Sequence, residues 1–155
     1  MNARILTTLF PAGAQWMYDR MQEIRPSDIP FDPAFNYTGY GILKYGVCLA
    51  GFALPLLASA KVELITVLLS VVFFYLLEVH FLFLFPLLID RAPRPLLTGI
   101  RMAWSIGIGR CLITVIPIAT YMLLGLFRRS DPLRNWYIGC LAIIIWYEHE
   151  IRDRL

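Results

Sequence analysis

Three long apolar blocks and a shorter fourth dominate the hydrophobic pattern of the chain. They cover about residues 39–60, 62–89, 103–127 and 135–147. A membrane-crossing helix needs about 20 apolar residues, so each of the first three is long enough. The fourth is not, and aromatic pairs bracket it: Trp136-Tyr137 before and Trp146-Tyr147 after. It predicts either a half-span or a helix that continues to Leu155. The continuing helix is the favoured reading, because no helix breaker follows Pro132. It would take Glu148, His149 and Glu150 to the membrane surface or into the bundle. The expected fold is an all-α, polytopic transmembrane helical bundle of three to four spans.

Ahead of the first block, residues 13–25 carry Trp16, Met17, Met21 and Ile24 on one helical stripe. Asp19, Arg20, Gln22, Glu23 and Arg25 surround it, the pattern of an N-terminal amphipathic helix lying in the membrane interface or docked on a partner. Pro26 is expected to end that helix. Residues 26–36, with Pro26, Pro30 and Pro33, read as extended and irregular. The chain thus divides into an N-terminal segment, 1–37, and a transmembrane helical domain, 38–155. Arg4 and the apolar run at 5–10 superficially resemble a signal peptide. The run is shorter than the roughly 7–15 residues of such a core and is read as retained.

Within the blocks, Tyr37, Tyr40 and Tyr45 read as an interfacial aromatic belt, and Lys44 as snorkelling to the headgroups. The turn near Lys61 is so short that the second helix must run antiparallel beside the first. The second block would extend roughly 40 Å, more than a ~30 Å hydrocarbon core. It must tilt, kink or protrude, and Pro86 is the expected kink or stop. Residues 90–95, DRAPRP, predict a stiff charged loop. In the third block, Ala103/Gly107 and Ser105/Gly109 are small-xxx-small pairs that favour close helix packing. Pro117 lies mid-span, with Thr114 placed to satisfy the carbonyl it frees.

Composition agrees with this pattern. Of 155 residues, 59% are hydrophobic and 16% charged, against roughly 45–50% and 25% in a soluble domain. The net charge of +3 comes from basic residues between the blocks, which suits contact with anionic lipid. With four spans, one side collects Arg4, Arg20, Arg25, Arg91, Arg94, Arg101, Arg152 and Arg154, and the other Lys61, Arg128, Arg129 and Arg134. The bias predicts both termini in the cytoplasm, in a cell or inner membrane. No basic face with interleaved aromatics points to nucleic acid. Cys48, Cys111 and Cys140 lie inside apolar blocks without metal-ligand spacing and read as small buried hydrophobes.

Few residues are left to carry chemistry. Glu78 and His80 stand out, because an ionisable group inside a span costs about 2.5–3.5 kcal/mol and normally faces a partner or a cavity. Two residues apart, they point to opposite sides of a regular helix and do not form one site. Counting back from the 90–101 loop, Glu78 lies about 18 Å and Arg110 about 13 Å into antiparallel helices. This predicts a buried Glu78–Arg110 pair that sets register or holds a ligand. Glu148, His149 and Glu150 read first as a solvated helix end and second as an acid–base cluster. No metal site is expected, because no HxxxH or ExxH spacing occurs. Arg91, Arg94 and Arg101 read as topology anchors able to hold an anionic headgroup. No glycine-rich phosphate loop, GxSxG elbow or paired-aspartate motif is present, and no cofactor is implied.

Two function classes follow. The favoured one is a non-catalytic subunit or assembly component of a larger membrane complex, its partners being the bilayer and other membrane subunits or copies of itself. The alternative is a small membrane enzyme acting on a lipid or prenyl substrate. There Glu78, His80 or His149 would serve as acid or base, and Arg91, Arg94 or Arg110 would bind anionic groups.

Overall fold

The computed structural model describes residues 3–59, 61–125, 127, 131 and 133–154. Ala60, Arg128, Arg129, Ser130, Pro132 and Leu155, which figure in the expectations above, lie outside the described residues. Among the described residues the chain is all-helical. Three helical stretches are long and apolar enough to cross a membrane: Tyr37–Ala58, Leu64–Ile89 and Ile108–Gly125.

Helix α1, Ala3–Ile24, is longer than its pattern predicts and includes Pro11. It buries Ala14 and Met21 and leaves Asp19, Glu23 and Ile24 exposed. Pro26 follows its end, and the Gln22 side chain bonds three atoms of Ser27 to reverse the chain. Residues 26–36 then pack as an aromatic layer over the start of α2, Tyr37–Ala58. Phe31 stacks on Tyr37 at 5.4 Å, and Phe35 on Tyr40 at 5.9 Å. Asn36 caps α2 by accepting from the Gly39 amide at 2.8 Å.

Helix α2 buries Tyr37, Gly41, Lys44, Cys48 and Gly51, a stripe with alternating spacings of four and three. That stripe faces α1 and α3. A side chain at Gly41 would overlap Phe10, and one at Gly51 would overlap Leu77. Helix α3, Leu64–Glu78, returns antiparallel and buries only Thr66 and Ser70 of its first half. Its remaining faces there are large and exposed, from Leu64 through Phe73.

The second block breaks where Pro86 requires it, one turn earlier than the proline itself. Val79–Phe81 forms a 310 turn, and a short helix, α4, resumes at Leu84–Ile89. A proline lacks its own N–H and clashes with the carbonyl four residues back, here Leu82, so the disruption falls on the preceding turn.

The third block is not one helix. Residues 95–106 form a separate helix, α5 (Pro95–Ile106), and α6 runs from Ile108 to Gly125. Gly107 joins them at φ +99°, a conformation that side chains other than hydrogen rarely adopt. The stiff-loop reading therefore holds only for residues 90–94. Of the small-xxx-small residues only Ala103 is buried, with Val79 and Cys111; Ser105 and Gly109 are exposed, and Gly107 is the break. Close packing uses other glycines. Gly125 and Gly139 bring α6 against α7, Arg134–Glu150, where added methyl groups would overlap Asn135 and Met122. Thr114 donates to the Arg110 carbonyl at 3.0 Å, not to the one that Pro117 frees.

The continuous buried core sits at one end of the molecule. It joins Ala14 and Met21 of α1, Leu82–Ile89 around α4, and Ile144, Tyr147 and Ile151 at the end of α7. Toward the opposite end, α2 and α6 expose large apolar side chains such as Leu54, Leu57, Leu123 and Leu124.

Candidate functional site

Two polar constellations stand out. The first lies inside the α2/α3 contact. Lys44 Nζ is 2.7 Å from Glu78 Oε1, with the two side chains only 9% and 15% exposed. Cys48 Sγ, one turn along α2 from Lys44, donates to Glu78 Oε2 at 3.5 Å. The match in depth follows from the hairpin. Lys44 and Glu78 each lie fourteen residues from the facing ends at Ala58 and Leu64, about 21 Å along antiparallel helices.

The expected Glu78–Arg110 pair is therefore replaced. Arg110 instead bonds Glu150 at 2.7 Å, an arginine that is 62% exposed. Counting back from a supposed loop at 90–101 placed Arg110 too deep, because α5 occupies most of that stretch and the α6 helix starts only at Ile108. Lys44 does not snorkel outward. It is buried and neutralised in place. Counting from the short turn at 59–63 would have found it.

His80 sits in the 310 turn, off the Glu78 site. Its Nδ1 is 2.7 Å from the Leu76 carbonyl, so Nδ1 carries a proton and the ring is held in one orientation. Trp104 of α5 lies 6.2 Å away, ring to ring. Gly99 of α5 packs against this turn, and a Cβ there would meet Leu87 and the His80 carbonyl at ordinary contact distances of 3.4 and 3.5 Å.

The second constellation closes the cored end. Arg152 Nη1 donates to both Glu148 oxygens at 2.9 Å and to the Arg25 carbonyl at 3.2 Å. Its Nη2 donates to Asp90 Oδ1 at 2.9 Å, while Tyr147 Oη donates to Asp90 Oδ2 at 2.8 Å. Arg25 in turn pairs with Asp153 at 2.5 Å. The ends of α1, α4 and α7 are thus tied by one guanidinium. Burial lowers Arg152, but the Glu148 and Asp90 carboxylates outweigh it and leave it raised.

Glu148, His149 and Glu150 do not act as one cluster. Successive residues turn about 100° around a helix. Glu148 is buried on Arg152, Glu150 reaches Arg110, and His149 is exposed. The solvated-helix-end reading therefore fails for Glu148. The spacing of Glu148 and Arg152, four apart with the acid first, was the available signal for their pair. Asp90 and Tyr147 join through tertiary contact alone. Among the described residues no group of three or more His, Cys, Asp or Glu could hold a metal.

The three candidate headgroup arginines stand on different elements. Arg91 follows α4, Arg94 precedes α5, and Arg101 is exposed within α5. The chain matches no protein-family model, and no curated protein or solved structure matches it.

Proposed function

We propose that this integral membrane protein is a non-catalytic subunit or assembly component of a larger membrane complex. The observation that supports this most is the state of its buried charges. Glu78 is neutralised by Lys44 of another helix, and Arg152 by Asp90 and Glu148, so these groups hold helices together. The outward faces of α3, from Leu64 to Phe73, offer a broad apolar surface to lipid or to neighbouring subunits. In this reading α7 makes a fourth crossing, α1 lies along the interface with Asp19 and Glu23 toward water, and both termini are cytoplasmic. Arg25 and Asp153, bonded at one end, are consistent with the last point.

A second reading has one observation in its favour. His80, held through Nδ1 on the Leu76 carbonyl with its ring beside Trp104, is oriented as an acid–base group would be. A lipid or prenyl substrate would then be the target, with Glu78 and His149 outside the immediate site.

Extraction of the tagged protein into native nanodiscs, with mass spectrometry of proteins and lipids, separates the two. Stoichiometric protein partners support the subunit reading. Recovery alone, with one enriched prenyl species whose conversion is lost in His80→Gln, overturns it.

A further inference from the structure

A cavity of about 390 Å³ opens between the 26–36 segment, the start of α2 and the end of α4. That is within the range of small-ligand pockets, roughly 300–1,000 Å³. Phe35, Tyr40, Leu88 and Pro95 give it an apolar floor, and Asp32 and Arg91 supply its charges. Tyr40 lies in the first turn of a candidate span, so the floor leads toward the hydrocarbon and the charges face the headgroup layer.

The two charges do not satisfy each other. Arg91 Nη2 stands 4.0 Å from Asp32 Oδ2, the outer limit of an ion pair and too far for a hydrogen bond; Asp32 Oδ1 accepts from the Ala34 amide at 3.0 Å, and both side chains are about half exposed. The other inter-helix ion pairs close to 2.5–2.9 Å. The same Arg91 nitrogen donates to the Pro30 carbonyl at 3.3 Å, which holds the guanidinium over the cavity.

The backbone fixes where Arg91 stands. Helix α4 ends in a Schellman motif: the Ala92 amide bonds the Leu87 carbonyl at 2.9 Å, and the Arg91 amide bonds that of Leu88 at 3.2 Å. Arg91 occupies the left-handed position of that motif at φ 51°, where glycine fits without strain. Arg94, three residues on, shares this conformation at φ 50° without lining the cavity, so the position of Arg91 on the rim, and not the strain, is what offers its side chain to a ligand.

We infer that this cavity binds the headgroup of an ethanolamine phospholipid, its phosphate on Arg91 and its ammonium on Asp32. A cation and an anion side by side match a zwitterion. Choline has no N–H to donate to Asp32. Glycerol headgroups leave Asp32 unpaired beside a phosphate, and serine adds a second carboxylate next to it. The acyl chains run over Tyr40 toward the bilayer. The inference requires a membrane-embedded chain and is independent of whether the chain is a subunit.

The test places the full chain in nanodiscs of equal phosphatidylethanolamine, phosphatidylcholine and phosphatidylglycerol and reads retained lipid by native mass spectrometry. The wild type is expected to retain phosphatidylethanolamine over the other two by roughly tenfold, the scale of one charge-assisted hydrogen bond. Arg91→Gly is expected to abolish that preference with thermal stability equal or higher, since glycine relaxes the turn. Asp32→Asn is expected to shift the preference toward phosphatidylglycerol. Equal retention of all three lipids by the wild type, or an unchanged preference in Arg91→Gly, overturns the inference. Complete displacement of the lipid by free phosphoethanolamine at comparable concentration overturns the lipid assignment in favour of a soluble ligand.

Discussion

At the scale of single residues, the Lys44–Glu78 pair is the most consequential contact. Removing one partner strands the other in a dry helix interface, at a cost of about 3–5 kcal/mol, whereas replacing both with apolar groups is often neutral. Thermal unfolding in detergent should therefore show Glu78→Gln and Lys44→Met as strongly destabilised, and the double variant Lys44→Met/Glu78→Leu as close to wild type. Additive losses in the double variant would contradict the pair. Arg110→Gln should cost no more than about 1 kcal/mol, because its partner contact is largely in solvent. At Arg91 the sign reverses. Glycine removes the left-handed penalty, roughly 1–2 kcal/mol, and a fall in stability on Arg91→Gly would mean that the Pro30 contact outweighs it.

At the scale of elements, the helix pairs are set by where glycine lets backbones meet. Gly125 faces the Cβ of Asn135, which cannot swing away, and Asn135 is itself held by its bond to the Tyr121 carbonyl at 2.9 Å. Gly125→Ala should push α6 from α7 and cost about 1–3 kcal/mol. Gly109→Ala meets nothing within 4 Å and should be neutral or stabilising by up to about 1 kcal/mol, as alanine is the better helix former. The reverse order would restore Ser105/Gly109 as the packing motif. A small-xxx-small spacing is legible in a sequence, but it packs only if both residues lie on one continuous helix. Gly107 interrupts that helix, and a positive φ is not written in the spacing. The break at 79–83 was partly legible, since Pro86 announces a fault in the second block. That the fault would admit α5, with Gly99 against His80, depends on packing that no local pattern contains.

At the scale of the whole molecule, the two ends differ. One is cored with apolar side chains and tied through Arg152, and the other exposes apolar helix faces along α2, α3 and α6. The sequence by itself determined the helical character and three helices long and apolar enough to cross a membrane, because apolar blocks of that length satisfy their backbone groups internally as helices. It also determined the antiparallel α2–α3 hairpin, since the connection is too short for any other path, and the presence of a buried partner for Glu78. Only the tertiary structure decided which partner. Lys44, thirty-four residues earlier, and Arg110, thirty-two later, lie at nearly the same distance along the chain, and depth in the bundle separates them. The same holds for the clamp at Asp90, Tyr147 and Arg152, and for the opposed charges of Asp32 and Arg91 at the cavity. Helix formation is local and leaves its signature in spacing. Pairing between distant side chains depends on where each helix begins, bends and stops, and one glycine or proline shifts all that follows.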